Sequence, residues 1–131
     1  MPDGPTIILT LKILVSAVTV LFAGSLVALM LGREKLHGLV NKVFFALTIT
    51  TVLGFELVLR LGTDVTATFS DDARAALRVH LFFAVPSALL LPVMLFSGVT
   101  HRRTLHVAVG VVFFFLWVGT FVTGVFFLPH A

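Results

Sequence analysis

His37 and His106 are the residues best placed to do chemistry, because both occur in the setting Arg-x-x-Leu-His and both open long apolar stretches. Neutral imidazole is a good ligand to haem iron and to copper, so two facing histidines suit an axial haem pair or half of a copper site. The chain has no cysteine. That excludes disulfides, thiolate metal sites, iron-sulfur clusters and thioether-attached haem, and leaves His, Met, carboxylate and backbone as ligands. The two histidines belong to an internal repeat. At an offset of 69 residues, Arg33 to Leu59 lies on Arg102 to Leu128 with ten of 27 positions identical, including Phe44, Phe45, Leu47 and Thr51 and their counterparts. One helical turn beyond His106 stands Gly110, which leaves room for a flat macrocycle to approach the backbone; beyond His37 stands Asn41. The bland alternative places both imidazoles at the headgroup level, bonded to water or lipid phosphate.

A second cluster is expected at the opposite membrane face. His80 opens the third apolar stretch, and Lys12 and Glu56 lie at matching depths, with Arg60 four residues beyond Glu56. A carboxylate inside the hydrocarbon needs a cation or a proton, so Lys12 or Arg60 is the expected partner of Glu56. These residues form either a structural ion pair or, with His80, a ligand or proton-relay site. His130 is within reach of His80 on this reading, and His101 is a loop residue. Met30 and Met94 close the first and third stretches near His37 and His106, where a two-His, two-Met set would favour copper. Gly119, Thr120, Thr123 and Gly124 form a small-residue patch suited to helix packing, and Trp117 falls midway along its helix, packed inside the bundle or against a partner subunit.

The elements that position these residues follow from composition. Of the 131 residues, 59% are hydrophobic and 11% charged, with a mean hydropathy of +1.15. Too little polar surface remains to cover a soluble globule, which excludes a soluble enzyme, a nucleic-acid binder and a disordered chain. Four apolar stretches, Ile7 to Leu31, Leu39 to Leu61, Leu77 to Phe96 and Leu105 to Leu128, each approach the ~20 residues that cross a bilayer. The expected fold is all-α: one integral membrane domain of four helices, built as two pseudo-repeated hairpins, with Pro86 and Pro92 bending the third span. The first stretch lacks a basic leader and carries Lys12, so it is taken as a retained span. The short loops carrying Arg33, Lys35, Lys42, Arg102 and Arg103 are read as cytoplasmic, by five basic residues to four, with both termini outside.

The pattern Arg33-x-x-Leu36-His37 with Phe45-Ala46-Leu47, then His80, then His106 with Trp117 eleven positions on and Thr123-Gly124 after it, resembles the CtaM/YozB-like family of four-helix membrane proteins. The resemblance covers roughly Leu31 to Leu128. It implies a role in maturation of haem-copper cytochrome oxidases and histidines sorted into two pairs, one at each membrane face. His37, His80 and His106 match three of them. The fourth falls on Leu59, so the outer pair is broken unless Glu56 or His130 substitutes.

Three functions are therefore in play, none of them enzymatic. The first is a bacterial inner-membrane protein that binds haem b or copper through His37 and His106, with Gly110 and His80 as further cofactor candidates and His80 as a further metal ligand, and that matures or joins a respiratory oxidase. The second is a haem-b electron-transfer anchor of another membrane redox complex. The third is a cofactor-free structural subunit. No nucleophile-base-acid set or phosphate loop is present, and no nucleic-acid partner is expected beside the lipid bilayer and the partner complex.

Overall fold

A computed structural model describes residues 3–62, 64, 66 and 69–129. The described residues form an all-α bundle of four helices: α1 (Gly4–Met30), α2 (Glu34–Arg60), α3 (Asp71–Val99) and α4 (Arg103–Val122), the last running on into a π-helical turn at Thr123–Phe127. Each is long and apolar enough to span a membrane. All four helices start before their apolar stretches, and in α1 and α3 a polar cap fixes that start outside the hydrophobic segment. The Asp3 carboxylate accepts from the Thr6 N–H at 2.9 Å, and the Ser70 hydroxyl accepts from Ala73 N–H at 3.1 Å, with Asp71 and Asp72 in the first turn. Thus α3 begins six residues before Leu77. It also stays helical through both Pro86 and Pro92.

The repeat seen in α2 and α4 is carried by the whole hairpin. α1 leads into α2, and α3 into α4, through the same turn, residue for residue. Arg33 N–H donates to Ala28 O at 2.8 Å and Gly32 N–H to Leu29 O at 3.1 Å; at the 69-residue offset, Arg102 N–H donates to Ser97 O at 2.9 Å and His101 N–H to Gly98 O at 3.2 Å. This pair of bonds is the Schellman closure, which needs a left-handed residue just past the helix end. Gly32 supplies it at φ +75°, and His101 does so at φ +55°. Burial repeats too. Val18 and Ser87, Phe22 and Leu91, Ala28 and Ser97, Phe44 and Phe113, and Thr48 and Trp117 are buried pairs at the same offset. The first three lie on α1 and α3, whose residue identities do not match, because the hairpin geometry dictates which positions face inward while leaving side-chain identity free.

The core is aromatic. Phe22 stacks on Phe44 with centroids 5.3 Å apart, Phe113 stacks on Trp117 at 5.8 Å, and Phe44 meets Trp117 edge-on at 5.2 Å. Lipid is as apolar as these rings, so helix association in a bilayer depends on close packing and interhelical hydrogen bonds rather than on hydrophobic burial. Both are present. Trp117 Nε1 donates to Thr19 Oγ1 at 3.0 Å, tying α4 to α1 across the hairpins. Ser87 and Thr120 hydroxyls bond at 3.1 Å between α3 and α4. Gly119 admits the Phe83 ring so closely that a Cβ there would fall 2.3 Å from its Cδ1. The small-residue patch is therefore a packing surface, and Trp117 is inside the bundle.

Candidate functional site

The start of α2 and the start of α4 bring His37 and His106 together. Their ring centroids are 6.3 Å apart and the planes cross at 81°. Each ring is held from behind by its own hairpin. His37 Nδ1 lies 2.9 Å from Ser25 O and 2.8 Å from Ser25 Oγ. His106 Nδ1 lies 3.2 Å from Met94 O and 3.0 Å from Ser97 Oγ. A carbonyl can only accept, so Nδ1 carries the proton in both rings and Nε2 keeps the lone pair. Ser25 and Met94 are themselves 69 residues apart, so the anchoring carbonyl recurs in the repeat. A carbonyl behind Nδ1 is the usual orienting contact of a metal-ligating histidine.

The two histidines differ at Nε2. The Asn41 amide Nδ2 lies 3.2 Å from His37 Nε2, while Ser25 Oγ donates to Asn41 Oδ1 at 2.5 Å. His37, Ser25 and Asn41 thus close a hydrogen-bonded loop between α1 and α2. At the equivalent place on α4 stands Gly110, which cannot donate, and the Met94 side chain fills the space, with Cε 3.7 Å from where a Gly110 Cβ would be. Gly98 admits the His106 ring: a Cβ there would lie 3.1 Å from Cε1. Both rings face a cleft of 1210 Å³ between the hairpins, lined by Phe22, Phe44, Phe113 and Met94 among others. A small-molecule site is typically ~300–1,000 Å³.

Ser25, Ser97 and Gly98 are the site residues that sequence reasoning missed. The backbone carbonyls of Ser25 and Met94 leave no mark in a sequence, and the two serines sit on helices without an identity match. The methionine pair does not form: Met30 is 85% exposed, while Met94 borders the cleft.

The opposite end of the bundle holds the second set of candidates. His80 Nδ1 lies 3.0 Å from Thr123 Oγ1, which itself donates to Gly119 O at 2.6 Å, so the histidine is the donor. The ring packs on Gly124, where a Cβ would come within 2.7 Å of Cε1. This close approach falls where α4 widens into its π turn. His80 contacts α4 seventeen residues from His106, or ~25 Å along the helix, so it is not part of the paired-histidine site. Glu56 pairs with Arg60 at 3.3 Å on an exposed face of α2, and the Lys12 ammonium donates to the Leu128 carbonyl. Leu59 is 40% exposed. His130 lies outside the described residues. Among the described residues no group of three or more His, Asp or Glu gathers to hold a metal.

Compared with family models, with curated proteins and with solved structures, the chain matches none.

Proposed function

We propose that this is an integral membrane protein that binds haem b, with copper as the alternative, through His37 and His106, and that it matures or associates with a respiratory oxidase in a bacterial inner membrane, both termini facing outward. The observation that carries this reading is the paired orientation of the imidazoles. Both have Nδ1 fixed on a backbone carbonyl, which leaves Nε2 as the atom available to a metal, at His37 only once the Asn41 amide is displaced, and both rings line one cleft. Metal-nitrogen bonds to imidazole are ~2.0–2.1 Å. With ring centroids 6.3 Å apart, His37 and His106 would be the residues to hold one metal ion between them. Gly98 gives the His106 ring room to pack, Gly110 with the Met94 side chain borders it, and Phe22, Phe44 and Phe113 supply apolar walls. Bound haem supplies one-electron chemistry; the chain contributes its ligands, their orientation and a dry wall. The oxidase connection rests on the resemblance to the CtaM/YozB-like family.

A specific observation favours a second reading. The Asn41 amide already satisfies His37 Nε2, as it would in a cofactor-free subunit whose histidines pin the hairpins. A visible absorption spectrum of the protein purified in mild detergent separates the two. A Soret band or copper absorbance that changes with His106→Ala supports the binding reading. A preparation without haem or copper, which takes up neither on addition and is unchanged by His106→Ala, overturns it.

A further inference from the structure

The cleft carries a charge pattern that neither histidine explains. Its lining includes Lys35, Lys42 and Arg103 against the single carboxylate of Glu34. Among the described residues the ion pair within 4.0 Å is Glu56–Arg60, at the far end of α2, so none of these three cations is ion-paired and Glu34 offsets at most one of their charges. Lys35 and Arg103 precede His37 and His106 by two and three residues, which sets them at the mouth, ~3–4.5 Å outward along the helix axes. Lys42 rises from the α2 wall, and its long stem can carry its ammonium toward the same opening. The helix ends add to the field. α2 and α4 both begin at this mouth, and their N-cap residues Arg33 and Arg102 make no side-chain capping bond, unlike Asp3 on α1 and Ser70 on α3. Two sets of first-turn N–H groups therefore present positive dipole ends beside three cations. Below the histidines the cleft becomes apolar and aromatic, with Phe22, Phe44, Leu91 and Phe113.

A bare copper ion gains nothing from a cationic mouth. We infer that the cleft is built for a flat apolar ligand carrying carboxylates on one edge, a dicarboxylate porphyrin such as haem b, whose carboxylates meet Lys35 and Arg103 while its body rests against the phenylalanine floor. The inference rests on the paired-histidine reading and deepens it by choosing haem over copper.

The test titrates the full-length protein in neutral detergent with haemin, with haemin dimethyl ester and with copper(II) alone. Wild type, Lys35→Gln/Arg103→Gln and His106→Ala are compared by absorption. Haemin should bind about ten-fold more tightly than its ester, the scale of one charge-assisted hydrogen bond. The double variant should lose that preference while keeping the spectral signature of histidine ligation. Equal binding of acid and ester by wild type, with a signature still dependent on His106, overturns the carboxylate inference and leaves the histidine reading standing. Tight binding of copper with none of haemin does the same. Absence of any His106-dependent binding overturns both. A last arm adds phosphatidylglycerol to the detergent: if the anionic lipid abolishes the acid-over-ester preference, the cations serve bilayer phosphates and the inference fails.

Discussion

Replacing Asn41 by alanine is expected to tighten ligand binding at His37, although it removes a hydrogen bond from the folded protein. The Asn41 amide lies 3.2 Å from His37 Nε2, the atom a metal requires, so a ligand must displace it. A neutral hydrogen bond of this kind is worth ~0.5–1.5 kcal/mol net, so its removal should raise affinity about two- to twelve-fold. The same change takes away the acceptor of Ser25 Oγ, 2.5 Å distant. That hydroxyl is not stranded, because the His37 carbonyl is 3.4 Å away and alanine is the better helix former. The stability lost should therefore stay within ~1 kcal/mol. Haemin titration followed at the Soret band measures the first effect, and thermal unfolding by circular dichroism in the same detergent measures the second. Opposite movements, with affinity up and stability slightly down, are the expected result. A fall in affinity that tracks a fall in stability would refute the reasoning, since Asn41 would then be holding the ring in place and Nε2 would not be the binding atom.

Three further outcomes concern the scaffold. Gly119→Ala should cost ~1–3 kcal/mol of stability, because its Cβ would fall 2.6 Å from Phe83 Cγ, so that the ring must leave its rotamer or α3 must shift; Gly24→Ala, with nothing within 4 Å, should leave the melting temperature unchanged or raised. Trp117→Phe should lower stability by ~1 kcal/mol through loss of its bond to Thr19, whose hydroxyl keeps Val15 O at 2.6 Å, and a melting temperature equal to wild type would show that this link between the hairpins carries no weight. His101→Gly should raise stability by ~1 kcal/mol, because a left-handed backbone disfavours any side chain; a lower melting temperature would mean that the imidazole contributes more than its conformation costs.

How far the molecule was legible depended on where its information resides. The four spans were read from apolar length alone, and their true ends were missed where that criterion stops applying: Ser70, Asp71 and Asp72 begin α3 by hydrogen bonding, outside the hydrophobic run. The pairing of His37 with His106 was visible because the repeat preserves Arg-x-x-Leu-His at the start of both helices. What holds the rings was not visible. Their Nδ1 partners are backbone carbonyls of α1 and α3, and a carbonyl has the same identity in every residue. The expectation that Glu56 would pair with Lys12 or Arg60 left open a choice that side-chain reach decides, and the partner within one turn on the same helix takes it. The π turn at Thr123–Phe127, where the His80 ring packs on Gly124, also has no signal in the sequence.

The two hairpins agree in their scaffold and differ in the groups beside the two imidazoles. They agree in the turn, in the inward-facing positions and in the carbonyl behind each imidazole, which together place the two rings at one depth. Such agreement is sufficient for a structural role. The hairpins differ in front of the rings: the Asn41 amide lies against His37 Nε2, whereas Gly110 and the Met94 side chain stand at the equivalent place on the His106 side. The two lone pairs are thus unequal, one covered by a donor that a ligand can displace and the other bordered by glycine and a thioether. On the proposed binding, a ligand would reach His37 Nε2 only by displacing the Asn41 amide, and no such amide stands at Gly110. Gly110→Asn, which would place a second amide beside His106, should therefore weaken haemin binding, and a normal affinity in that variant would show that the asymmetry has no part in binding.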